Sequence, residues 1–127
     1  MMVSLLDRTR RSDVTFHASG RIDISAGVSL SLGLESGDVI DVLTDGRDYY
    51  LCIRHKAPDV VGRHEAQVWA ANRKGRRHNY YRCWSRRLCC AVLGVCGGEV
   101  ARVIACDAEE KDGRTVVPLI IRMGCTL

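Results

Sequence analysis

Polar and apolar residues alternate through Arg21-Ile22-Asp23-Ile24, the period of a strand with one buried face. A short helix is predicted over residues 27–32, with Ser25 as its N-cap and Gly33 as the left-handed residue that stops it. Residues 35–38 read as a turn and 39–43 as a strand. Asp45-Gly46 is a strong hairpin signal, and 49–54 is the returning strand. A second stretch repeats this reading, with a strand near 79–84 and a helix over 86–93. A hairpin then runs over 99–106 and 114–122, joined by an acidic loop at 107–112. Pro118 lies inside the last strand and is expected at a sheet edge or bulge, because it has no N–H for a ladder.

The two stretches are similar in sequence as well as in pattern. Residues 32–42 align without a gap on residues 93–103, sharing the leucine, both glycines and two valines. The same offset of 61 pairs Arg21 with Arg82 and His17 with His78. Farther on, Asp45-Gly46-Arg47 matches Asp112-Gly113-Arg114, and Ile53-Arg54 matches Ile121-Arg122. Self-similarity of this kind marks a repeated supersecondary unit. The chain is therefore read as one domain over 1–127. Repeat 1 covers about 14–54, a basic connecting segment about 55–77, and repeat 2 about 78–122. A lone hairpin leaves one face and both edges unsatisfied, so the two units are expected to pair.

Composition narrows the class. Hydrophobic residues make up 46% and charged residues 27%, a globular balance. No apolar run approaches the roughly 20 residues of a membrane helix. The first eleven residues place apolar before basic, the reverse of a signal peptide, so a soluble cytoplasmic protein is expected. Seven cysteines are an odd number with no Cys-x₂₋₄-Cys knuckle. Reduced, buried thiols are expected rather than zinc or a disulfide framework.

Charge is unevenly placed. Between Arg54 and Arg87 ten basic residues face two acidic ones, although the whole chain is only +4. The remainder is net acidic. Arginine supplies sixteen of the nineteen basic residues, and its planar fork suits phosphate oxygens and base edges. Residues 72–87 interleave these cations with Tyr80, Tyr81 and Trp84, a composition suited to neutralising phosphate and stacking on bases.

The run Gly20-Arg21-Ile22-Asp23-Ile24, then Leu32-Gly33-Leu34, Gly37-Asp38 and Val39-Ile40-Asp41-Val42 resembles the AbrB/SpoVT family of MazE-like swapped-hairpin domains. The likeness covers about residues 14–54. Members usually carry one unit per chain and interleave two chains into one β-barrel. The resemblance therefore implies a mainly β fold with short helices, a duplicated swapped-hairpin or double-psi-like barrel made by one chain. It also implies a DNA-binding transcriptional regulator, monomeric or homodimeric, with duplex DNA as partner. Arg21 matches the family's Gly-Arg arginine, and Arg82 takes that place in the second unit. The chain departs from the pattern at Ser25, where members favour proline. Its first helix also lacks basic residues, whereas Arg86 and Arg87 supply them in the second. The expected nucleic-acid-binding set is Arg21, Arg73, Lys74, Arg76, Arg77, Arg82, Arg86 and Arg87. The alternative is a protein-interaction module, antitoxin-like or structural, without specific DNA binding.

No phosphate loop, nucleophile elbow or dinucleotide fingerprint is present. His17, His55, His64 and His78 have no nucleophile or carboxylate beside them at a diagnostic spacing. Neither an enzyme nor a cofactor or metal is expected, and the repeat-related pair His17 and His78 is assigned a shared structural hydrogen bond.

Overall fold

The computed structural model describes residues 12–56, 65–71 and 80–123. Along them run β1 (Asp13–His17), β2 (Arg21–Ile24), α1 (Ala26–Leu32), β3 (Val39–Thr44), β4 (Tyr49–Arg54), β5 (Ala66–Gln67) and β6 (Trp69–Ala70). There follow β7 (Tyr81–Trp84), α2 (Arg86–Cys96), β8 (Val100–Ala105), β9 (Glu109–Lys111) and β10 (Arg114–Ile120). The protein is mainly β, as its alternation predicts.

All pairings are antiparallel, in the order β5-β3-β4-β10-β8-β1-β2-β7-β6, with β9 added to β10. The two end strands, β5 and β6, are separated in the chain by Val68 alone. Residues 66–70 therefore lie against β3 with one half and β7 with the other, curling the sheet into a nearly closed barrel. Gly37 N–H donates to Val68 O and Val68 N–H to Asp38 O, each at 2.8 Å, which fastens the seam. Curling solves the edge problem of an open sheet and gives the apolar faces one interior. Val14, Phe16, Ile22, Ile24, Leu51 and Val103 are fully buried there, each burial contributing about 1.5–3 kcal/mol.

The order is palindromic. Outward from the β4–β10 pair come β3 and then β5 on one side, and β8 and then β1 on the other. The opposite wall is the β2–β7 pair. Strands β3 and β8, β4 and β10, and β2 and β7 are the equivalents assigned by sequence. Ile22 pairs with Cys83 across β2 and β7, and these two residues stand at the 61-residue repeat offset. Residues 32–54 and 93–122 each contain an antiparallel β-hairpin, as expected.

The helix ends differ from one another and from expectation. Ser25 does not cap α1, because its Oγ accepts the Asp13 N–H at 3.0 Å and so ties the helix to β1. Gly33 ends α1 as predicted, with φ +65°. Its N–H donates to Leu30 O and Leu34 N–H to Ser29 O, the paired closure of a Schellman motif. Gly94 plays no such part. It lies inside α2, which runs on to Cys96, three residues past the predicted end. A methyl group at either glycine meets nothing within 4 Å, so backbone conformation alone decides the outcome. Gly33→Ala is expected to cost about 1–2 kcal/mol, whereas Gly94→Ala is expected to add roughly 0.5–1 kcal/mol. Urea unfolding of the two variants beside the parent checks the opposite signs.

Two expectations about the last hairpin are corrected. Residues 107–112 are not simply a solvated loop, since Glu109–Lys111 forms β9 against β10. There Lys111 Nζ lies 4.2 Å from the centre of the Tyr50 ring and donates to its hydroxyl at 2.8 Å. Pro118 sits in a strand with neighbours on both sides, not at the sheet's edge. Its carbonyl accepts the Cys106 N–H at 2.9 Å, just past the end of β8. In an antiparallel strand a residue's N and O point the same way, so the ring nitrogen faces a place where the ladder has stopped.

Six cysteines are described, all as free thiols. Cys52, Cys83, Cys89 and Cys96 are buried, and burial pushes the Cys83 thiol up to about 12. Cys90 and Cys106 are exposed, against the expectation of burial. Cys90 follows Cys89 on a helix, where adjacent residues face different directions, and Cys106 lies just beyond β8.

Candidate nucleic-acid interface

Arg21 and Arg82, predicted from opposite halves of the chain, meet on the outer face of the β2–β7 ladder. Alternation places Ile22, Ile24, Tyr81 and Cys83 inside, leaving Arg21, Asp23, Arg82 and Trp84 outside. In register, Arg21 stands opposite Trp84 and Asp23 opposite Arg82. Asp23 joins the two arginines. Its Oδ1 accepts Arg82 Nε–H at 2.7 Å and its Oδ2 accepts Arg21 Nε–H at 3.1 Å. His17 Nε2 lies 3.1 Å from the same Oδ2, and Arg21 Nη2 lies 3.3 Å from that ring nitrogen. His17 thus makes a structural hydrogen bond, while its repeat partner His78 lies outside the described residues. Partial burial alone would raise the Asp23 carboxyl, but the hydrogen bond and charge of Arg82 outweigh it. Arg21 and His17 add to the effect and hold the carboxyl below its ordinary value. One carboxylate therefore orients two guanidinium groups, each about two-fifths exposed.

The start of α2 lies beside this ladder. Ser85 caps it, its Oγ accepting the Leu88 N–H at 3.2 Å. Gly20 makes the approach possible. It has φ +101°, its carbonyl accepts the Ser85 N–H at 2.8 Å, and a Cβ there would come within 2.9 Å of Arg86 Cγ. The β1–β2 turn is thereby pressed against the helix, bringing Arg86 and Arg87 near Arg21. Neither Arg86 nor Arg87 has a polar partner among the described residues. Two cations in a first turn oppose the helix dipole by about 0.3–1 kcal/mol each, a cost that an anion bound there offsets. Ser19, Gly20, Trp84, Ser85, Arg86 and Arg87 line a cleft of about 500 Å³ at this point, and Glu65 shares it. A neighbouring cleft of about 470 Å³ holds Arg54, Arg87 and Arg114, but Asp41 and Glu65 share it. Glu65 is bound by Arg54 and Lys56 at 2.7 Å each, so the last cation of β4 and the first of the connecting segment are already paired.

Arg73, Lys74, Arg76, Arg77 and His78 lie outside the described residues. The ends of their segment are placed. Ala71 N–H donates to Tyr80 O at 2.9 Å, one step beyond the β6–β7 ladder. Trp69 is opposite Arg82 in that ladder and is the residue sequence reasoning missed. Trp69 and Trp84 are 41% and 60% exposed on the same outer face. Asp23 was also passed over as a site residue, although its place two residues after Arg21 on an alternating strand puts both on one face.

Asp23→Asn is expected to free both guanidinium groups and remove one negative charge from the face. If the face holds phosphate, affinity for nucleic acid should rise and the slope of log affinity against log salt steepen by up to about 0.9. Fluorescence anisotropy over a salt series checks both.

No family description, curated protein or solved structure matches this chain. No helix among the described residues is long and apolar enough to cross a membrane.

Proposed function

We propose that this chain is a DNA-binding protein, a regulator of the AbrB-like type with both hairpin units fused in one polypeptide. Its DNA-contacting face is the outer surface of β2, β7 and β6 with the first turn of α2, continued by the basic segment 72–79. The observation that carries this reading is convergence. Arg21 and Arg82, the two ends of the Arg-rich segment and both tryptophans share one ladder, with Arg86 and Arg87 at its rim. Arg21 and the cations of residues 82–87, from opposite halves of the sequence, gather where phosphate would lie. The palindromic strand order supports the fusion, since two sequence-similar halves occupy equivalent places. The resemblance of residues 14–54 to swapped-hairpin regulators supports the regulatory role.

The competing reading is a protein-interaction module. It is favoured by Trp84 and Ile104, about three-fifths exposed, since exposed apolar and aromatic residues beside arginine are common in interfaces. The deciding experiment is a binding titration of the purified full chain with genomic DNA fragments over a salt series. The DNA reading expects affinity tighter than micromolar at low salt and a steep loss as salt rises. Absence of binding at low salt would leave the protein-partner reading in its place.

A further inference from the structure

We infer that this face takes unpaired DNA, its two indoles acting as a stacking platform for bases. The inference rests on the DNA reading and adds the strand state. The chain contains two tryptophans, and both stand on the outer side of the β6–β7 ladder. Trp69 is directly opposite Arg82, two residues before Trp84, which makes the tryptophans a diagonal pair roughly 7–8 Å apart. Arg21 lies opposite Trp84 on the other flank. Each indole therefore has a guanidinium beside it.

This placement is costly without a ligand. Large aromatic side chains gain most from burial, and neither is needed by the interior, which Tyr81 and Cys83 fill from the same strand. A duplex makes poor use of two flat apolar rings, because its base faces are already stacked and it presents phosphates and groove edges. An unpaired strand presents both base faces and phosphates, which match alternating indole and guanidinium groups. The cleft between Trp84 and Arg86-Arg87 continues the platform toward the start of α2, where two arginines stand against one carboxylate, Glu65, that Arg54 and Lys56 already neutralise. A protein partner would also cover tryptophan beside arginine, but it predicts no binding of either polymer in the titration below.

The test uses a labelled oligothymidylate and a random duplex of equal length, titrated into the full chain. Because both tryptophans lie on this face, indole emission reports it alone. The expected result is quenching by the oligothymidylate, tighter binding of it than of the duplex, and weakening by roughly 5- to 100-fold in Trp84→Ala. Trp84→Phe should restore part of the loss, and an unchanged melting temperature would separate binding from folding. Duplex bound more tightly, without quenching and unaffected by Trp84→Ala, would overturn the stacking assignment and leave the DNA reading intact. No binding of either polymer at low salt would overturn both.

Discussion

Asp38→Ala is expected to lower the unfolding free energy by about 3 kcal/mol, while Glu99→Ala, its counterpart in the second unit, stays within about 0.5 kcal/mol of the parent. The two acids match in the repeat, but their surroundings differ. Asp38 is 2% exposed, and its carboxylate accepts the Glu35 N–H at 2.9 Å and lies 3.0 Å from His55 Nδ1. The Lys56 N–H approaches it at 3.4 Å. One side chain thus ties the 35–38 turn to the end of β4, while its own carbonyl holds the seam at Val68. Removing this buried carboxylate takes the acceptor from the part-buried Glu35 N–H and the His55 ring, each such loss costing about 1–3 kcal/mol. Glu99 is exposed and contributes its backbone carbonyl to Ala18, which alanine retains. Denaturant midpoints with unchanged slopes would establish the difference. Equal losses in the two variants would mean that the 35–38 turn does not depend on the Asp38 carboxylate.

This asymmetry bears on what sequence can reveal. Periodicity and turn chemistry were enough for β2, β3, β4, β8 and the start of α2, because each has an alternating face or a local punctuation signal. The short strands β5 and β6 escaped notice. Two residues carry no period, and they are strands only because the barrel's seam lies there. Gly94 was misread because its repeat partner ends a helix, whereas α2 continues for three more residues before its own glycine stop. Identity at a repeat position does not impose identical backbone conformation.

The site was legible in pieces. Arg21 and Arg82 stood out through the repeat, and the basic segment through its charge. Trp69 did not, since its importance comes from lying opposite Arg82 across a register that no local pattern encodes. Asp23 was visible on the alternating strand, but its hold on both arginines depends on β2 and β7 being neighbours. That adjacency lies in the strand order, which places β2 and β7 side by side at the wall opposite the β4–β10 pair. The repeat therefore held more information about the site than its individual motifs did.

Replacing Arg73, Arg76 and Arg77 together with serine is expected to weaken DNA binding by tens- to several-hundred-fold near 0.1 M salt. Each phosphate neutralised contributes about 0.7–0.9 to the slope of log affinity against log salt, for single strands and duplex respectively. Three lost contacts should therefore flatten the slope by roughly two to three units, and by a similar amount on every sequence, because phosphate contacts carry no base information. Arg21→Ala and Arg82→Ala should act differently. Each leaves Asp23 with one guanidinium fewer, so part of their effect is a reorientation of the remaining arginine. They should also alter discrimination between sequences where that arginine reaches base edges. The melting temperature of the serine variant should stay nearly constant, since arginine side chains are seldom part of a protein core. Anisotropy at four or more salt concentrations, read beside thermal unfolding, separates these outcomes. A serine variant that binds with the parent's slope would place the phosphate contacts elsewhere and remove segment 72–79 from the interface.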